Sequence, residues 1–179
     1  MPFQLLKSEP VFQGRAFKIR RDHLKTPDGR ETKYEIVEHV GSVIIIPIGD
    51  DGNLLFVRQY RHAAGKDLLE LPAGTRDDDN EPYDVCASRE IREETGMAAG
   101  KLERIGDFYL APGYSTEFMA VFLATDLTHN PLKPDADEFL QVEKIPIHKA
   151  IEMAEQGEMP DAKTLAALFL AKTYLEKYS

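Results

Sequence analysis

The sequence predicts an α/β fold: a mixed β-sheet over residues 41–179, covered by helices on both faces as an α/β/α sandwich. A small antiparallel sheet precedes it over residues 1–40. Three observations predict this arrangement. Val43-Ile44-Ile45-Ile46-Pro47-Ile48 and Phe118–Ala124 are continuous apolar runs, the mark of strands buried on both faces. Helical patterns follow the strand-like stretch at residues 68–71 and close the chain, which supplies helices for two faces. Before residue 40, polar and apolar residues alternate on either side of Thr26-Pro27-Asp28-Gly29, a hairpin turn signal.

In order, Arg15–Arg20 and Lys33–Ile36 are the hairpin arms. They carry few large apolar residues, so the hairpin needs a surface to pack on, in its own domain or in a partner subunit. After the strand at residues 43–48, Asp50-Asp51-Gly52-Asn53 turns the chain into a second strand, Leu54–Arg61. Leu68–Leu71 is a short third strand, and Pro72-Ala73-Gly74 opens a loop into an acidic helix. Pro82 suits the first turn of that helix, where its missing N–H costs nothing, and Gly96 suits its end. Val85, Cys86 and Ile91 would face inward and the glutamates outward. Phe118–Ala124 and Phe139–Ile145 are further strands, the latter preceded by the polar loop at residues 134–138. His148–Gln156 places Ala150, Ile151 and Ala154 at helical spacing and stops at Gly157. Asp161 caps a last helix with Leu165, Leu168, Phe169 and Leu175 on one face.

At 179 residues the chain can bury a sizeable core. Lys and Arg number 22 against 31 Asp and Glu, a net charge of −9 that disfavours a broad nucleic-acid or anionic-membrane surface. An anionic substrate stays open where a metal and a few arginines meet its phosphates. The single cysteine, Cys86, excludes an intrachain disulfide and fits a reducing cytoplasm. No signal peptide is visible, no apolar run approaches the length of a spanning helix, and the five histidines lack zinc-ligand spacing.

The chemistry concentrates in Arg89-Glu90-Ile91-Arg92-Glu93-Glu94. On a helix, Glu90, Glu93 and Glu94 share one face. Each like-charge pair at about 5 Å costs roughly 3 kcal/mol at an effective dielectric near 20. Arg89 and Arg92 offset part of that, and a hard divalent cation would offset more. Such a run alone also describes a solvated, salt-bridged face; the surrounding pattern decides. Seven residues separate Arg89 from Glu81, six more separate Glu81 from Gly74, and Thr95, Gly96 and Met97 follow Glu94. This resembles the Nudix box, G-x5-E-x7-R-E-U-x-E-E-x-G-U with U aliphatic. The one departure is the first gap, longer by one residue.

The resemblance implies a Nudix-type α/β/α sandwich and metal-assisted hydrolysis of a phosphoanhydride. It implies Mg²⁺, with Mn²⁺ able to substitute, held by Glu90, Glu93, Glu94 and the backbone carbonyl of Ala73, with Arg89 orienting the cluster through Glu81. Val57-Arg58-Gln59-Tyr60-Arg61, then Glu70-Leu71-Pro72-Ala73-Gly74, is similar to the RQYR…ELPAG pattern of ADP-ribose and nucleoside-diphosphate-sugar pyrophosphatases. Pro112, sixteen residues past Gly96, and Asp161-Ala162-Lys163-Thr164 resemble the same subfamily. By that resemblance Arg58 and Arg61 contact the nucleotide or its phosphates, with Pro112 also on the substrate side, and Glu117 approaches the distal sugar. Glu138 is the catalytic base, with Asp137 or a box glutamate such as Glu93 as alternatives. The subfamily also implies a cytoplasmic homodimer that exchanges its N-terminal sheets. The expected reaction cleaves ADP-ribose or another nucleoside diphosphate sugar to a nucleoside monophosphate and a sugar phosphate. The alternatives are a dinucleoside polyphosphate or oxidised nucleotide as substrate, or a non-catalytic nucleotide-sugar sensor.

Overall fold

The computed structural model describes residues 2–15, 17–134 and 139–178. Among them are ten strands and three α-helices. The strands are β1 (Gln4–Gln13), β2 (Lys18–Lys25), β3 (Glu31–Glu38), β4 (Ser42–Pro47), β5 (Asn53–Arg61), β6 (Lys66–Glu70), β7 (Ala73–Thr75), β8 (Met97–Tyr109), β9 (Phe118–His129) and β10 (Leu140–Pro146). The helices are α1 (Tyr83–Thr95), α2 (Ile147–Glu155) and α3 (Ala162–Leu175). The chain divides into two compact units: Met1–Gly41 with Tyr109–Phe118, and Ser42–Phe108 with Met119–Ser179.

The first unit is the antiparallel sheet β1-β2-β3. It has one strand more than the two-armed hairpin expected, because β1 pairs with β2 from Gln4↔Lys25 to Gln13↔Lys18. The turn falls where the sequence puts it: Gly29 adopts φ +90 and donates its N–H to the Thr26 carbonyl at 2.9 Å. The sheet is held by polar side chains. Asp22 accepts from Ser8 Oγ at 2.6 Å and from Arg20 Nε at 3.1 Å, and Arg20 Nη1 reaches Glu38 at 2.6 Å. Residues 109–118 join this unit through a bridge between Val37 and Ser115.

The second unit holds two sheets, β7-β4-β9-β8 and β10-β5-β6. β4 runs parallel to β9 and antiparallel to β7, so the larger sheet is mixed. Every residue of β4 is buried, as its apolar run requires. Val43 and Ile45 pack with Cys86, Ala87 and Ile91 of α1 and with Ala120 and Phe122 of β9. Ile44 and Ile46 alternate to the opposite face, and α3 also packs on β4. Helices therefore cover both faces, giving the α/β/α sandwich.

Two local expectations change, and one strand is unforeseen. Val85 is 51% exposed, so the inward stripe of α1 is Cys86, Ala87 and Ile91. Phe169 is 78% exposed; the buried stripe of α3 is Thr164, Ala167, Leu168, Ala171 and Leu175, whose small residues let the helix approach β4 closely. β8 goes unsignalled in the sequence because its residues are only half-buried, two are glycines, and no apolar run marks it.

Candidate active site

The site is built on α1. Pro82 lies just outside the helix at φ −62 and ψ 144, so it is the cap residue and not part of the first turn. Gly96 ends the helix in the left-handed region at φ +73, its N–H bonded to the Arg92 carbonyl. Burial of Cys86, Ala87 and Ile91 fixes the rotation of the helix. That rotation carries Glu90 and Glu94, one turn apart, toward β7. The two carboxylates therefore do not face solvent as expected: Glu90 is 7% and Glu94 6% exposed. Glu94 Oε2 accepts the Ala73 N–H at 3.0 Å. Glu90 fills the space a side chain on residue 74 would need, since a Cβ there would stand 1.9 Å from the Glu90 carboxyl carbon. Gly74 is thus required by close approach.

Arg89 ties the acidic groups together. Its Nε and Nη2 donate to the two oxygens of Glu81, each at 3.1 Å. Its Nη1 donates to Glu90 Oε1 at 2.8 Å and Glu93 Oε2 at 2.9 Å, and Nη2 also reaches the Thr75 carbonyl at 3.1 Å. Burial, the largest single influence, works against the guanidinium charge, but Glu81, Glu90 and Glu93 outweigh it and hold Arg89 more firmly charged than usual. Arg89 in turn holds the Glu81 carboxyl below its ordinary range. Cys86 lies beneath the cluster; burial first, then the charges of Glu90 and Glu81, push its thiol up to about 12. It is a packing residue and not a nucleophile.

The additional loop residue is absorbed before Glu81. Arg76 donates to the carbonyls of Glu81 at 2.6 Å and Asp79 at 2.5 Å, and Asp78 Oδ1 accepts from the N–H groups of Asn80 and Glu81. The Arg76 guanidinium also lies 4.6 Å from the Tyr83 ring centroid. Residues 76–80 thus form a self-bonded turn, and Glu81 keeps its two-pronged contact with Arg89.

The two strand arginines are both engaged. Arg58 donates Nε and Nη2 to Glu143 of β10 at 2.5 and 3.2 Å, and Arg61 donates the same two nitrogens to Glu70 at 2.8 and 2.6 Å. Glu70 is 1% exposed and also accepts from Lys163, whose Nζ contacts Asp161 at 2.9 Å. Glu70, Glu143 and Lys163 went unassigned from sequence. Glu70 and Lys163 stand within the ELPAG and DAKT stretches, which was the available signal; nothing in the sequence pairs Glu143 with Arg58. Pro112 and Glu117 belong to the first unit, where the Leu110 N–H bonds the Glu117 carbonyl at 3.2 Å. Glu138 and its alternative Asp137 lie outside the described residues. Among those described, no three His, Cys, Asp or Glu side chains form a ready-made metal cage; Arg89 Nη1 stands between Glu90 and Glu93.

Comparison with known proteins gives the arrangement a context. A NUDIX domain model matches residues 38–168. The chain is 34% identical over 165 residues to an ADP-ribose pyrophosphatase of Bacillus subtilis (strain 168), covering 91% of this chain and 89% of that one. It is 36% identical over 168 residues to an ADP-ribose pyrophosphatase of Mycobacterium tuberculosis, covering 93% and 81%. The crystal structure of an ADP compounds hydrolase superposes with a TM-score of 0.87 at 27% identity, covering 99% of this chain and 96% of the other. By its domain match, its relatives and its fold, the chain belongs to the Nudix family.

Proposed function

We propose that the protein hydrolyses the pyrophosphate bond of ADP-ribose or another nucleoside diphosphate sugar, giving a nucleoside monophosphate and a sugar phosphate. The observation that carries this reading is the charge imbalance around Arg89 of α1. Three carboxylates, Glu81, Glu90 and Glu93, share the single guanidinium of Arg89, and Glu94 is pinned one turn beyond Glu90. Two relatives named as ADP-ribose pyrophosphatases support the substrate class.

Nudix hydrolases use divalent metal ions. The donors here fit one: carboxylate and carbonyl oxygens suit a hard cation. Glu90, Glu93, Glu94 and the Ala73 carbonyl would hold Mg²⁺, or Mn²⁺ in its place. When bound, such an ion neutralises phosphate charge and lowers the pKa of a water. The chain's own residues do the rest. β7 and Gly74 fix the two buried glutamates, while Arg89 orients Glu81, Glu90 and Glu93. Arg58 and Arg61 present guanidinium edges to the nucleotide phosphates. Glu138 accepts the proton of the attacking water, an assignment that rests on sequence resemblance, as do those of Pro112 and Glu117; Asp137 and Glu93 are the alternatives.

We further propose a cytoplasmic homodimer formed through residues 1–40, with residues 41–179 as the hydrolase domain. Nearly all of β1 is exposed, including Leu5, Leu6, Val11 and Phe12, an apolar surface that a second chain would cover. None of the described helices is long and apolar enough to cross a membrane.

The test is incubation with Mg²⁺ or Mn²⁺ and a panel of nucleoside diphosphate sugars, detecting the released monophosphate. AMP and ribose phosphate from ADP-ribose are expected. Binding without hydrolysis would mark a sensor, and turnover of only dinucleoside polyphosphates or oxidised nucleotides would move the substrate class. Either outcome overturns the proposal.

A further inference from the structure

The first turn of α3 lies far from the box in sequence, yet it grips the residues just before that box. Asp161 caps the helix by accepting the Thr164 N–H at 3.0 Å. Thr164, fully buried, accepts the Leu71 N–H at 2.9 Å. Lys163, between them, donates to Asp161 and to Glu70. Glu70 Oε1 takes the Nε of Arg61, while Oε2 takes both Arg61 Nη2 and Lys163 Nζ. The Glu70 carboxylate is therefore held from two sides, and its plane sets the plane of the Arg61 guanidinium. Two residues past Leu71, the Ala73 N–H holds Glu94. One helical turn thus anchors both the arginine and the strand that positions the carboxylates.

We propose that Lys163 is a positioning residue: through Glu70 it locks the Arg61 guanidinium side-on, so that the remaining edge stays aimed for an anionic group of the substrate. This rests on the phosphoanhydride reading above. Lys163 itself does not touch substrate. It is largely buried and its ammonium has two acidic partners. Simple stability is a poor reason for the network, because a well-packed apolar residue stabilises a buried position about as well as an ion pair does. What an apolar residue would lose is the orientation of the guanidinium. Arg58 lacks such a brace: its partner Glu143 lies on β10 in a part-exposed pair.

The experiment compares the full-length protein with Lys163→Met and Lys163→Arg. The first readout needs no substrate. In the wild type, the Arg61 Nε–H is observable by NMR and protected from solvent exchange; in Lys163→Met, exchange accelerates at least about tenfold, and Lys163→Arg restores protection. The second readout is kinetic. Lys163→Met raises KM for the best nucleoside diphosphate sugar about tenfold with kcat within about twofold, the low end of what residues supporting a site carry. Lys172→Met removes a surface ion pair from the same helix and leaves both readouts at wild-type values. Lys163→Met with unchanged Arg61 exchange and unchanged KM, but a lower Tm, overturns the proposal and reduces Lys163 to a structural staple. Should Lys163→Met fail to fold, Lys163→Gln, which keeps a hydrogen-bond donor but no charge, is read in the same way. A wild type inactive on every nucleotide sugar would sink the functional reading alone, since the exchange measurement still decides the role of Lys163.

Discussion

Two ion clusters in the second unit are near mirror images. In one, a single cation, Arg89, is shared by Glu81, Glu90 and Glu93. In the other, a single carboxylate, Glu70, is shared by Arg61 and Lys163, and Asp161 brings the charges to balance. The first is under-compensated, three carboxylates to one guanidinium, so it has charge to offer a cation. The second is balanced, two cations to two carboxylates around buried Glu70, so its contribution is geometry. The difference separates two kinds of polar cluster that look alike as lists of contacts: one keeps an excess of negative charge, and the other is neutral and fixes a side chain's orientation.

Four substitutions or treatments break or sharpen that contrast. The largest effect belongs to Glu94→Gln. The amide oxygen can still accept the Ala73 N–H, so Tm changes little, while kcat falls roughly 100- to 1,000-fold, the scale of losing one preorganised electrostatic group. Retained activity would remove Glu94 from the metal assignment. Glu70→Gln, in the balanced cluster, removes the buried carboxylate that half-buried Arg61 and largely buried Lys163 share, and lowers stability by about 3 kcal/mol in urea unfolding. Its pH dependence has a definite sign. Burial, the largest influence, raises the Glu70 carboxyl, but Arg61 and Lys163 together hold it below its ordinary value of 4.5. A depressed folded pKa contributes stability above 4.5 that is lost as pH falls through the folded value. The gap between wild type and variant therefore holds steady down to about pH 4.5 and narrows below it; a gap that stays constant in acid would contradict the pairing. Gly74→Ala pushes the new Cβ into Glu90. A displacement near 1 Å at the site costs roughly 100-fold in kcat/KM, with a smaller loss of stability. The smallest effect is chemical. Iodoacetamide leaves native Cys86 unmodified at pH 8 and labels it after denaturation, because the thiol is buried and titrates at about 12.

The sequence made the layers legible where residue pattern and burial coincide. The β-branched run of β4 and the apolar run of β9 could only be buried strands, and Gly96 and Asp161 mark helix ends by chemistry that does not depend on tertiary context. The platform was legible too, because Glu90, Glu93 and Glu94 are tied by helical spacing. The direction of that face was not legible. Its rotation toward β7 is set by burial of Cys86, Ala87 and Ile91 and needs room at Gly74, a residue whose message is the absence of a side chain. Arg58 and Arg61 were legible as charges but not as forks, since Glu143 and Glu70 reach them across strand pairings that no local pattern encodes. β7, three residues long, is defined by its pairing with β4 more than by its composition.

The hydrogen bond from Leu71 to Thr164 spans 93 residues, as does the ion pair between Glu70 and Lys163. During synthesis the box and its helix leave the ribosome well before Ala162–Leu175 exists. A nascent or C-terminally truncated chain therefore carries the acidic helix without the turn that anchors Arg61 and the platform strand. The turn that joins Leu71 and Glu70 is therefore made long after the acidic helix, and the two come together only once Ala162–Leu175 has been synthesised.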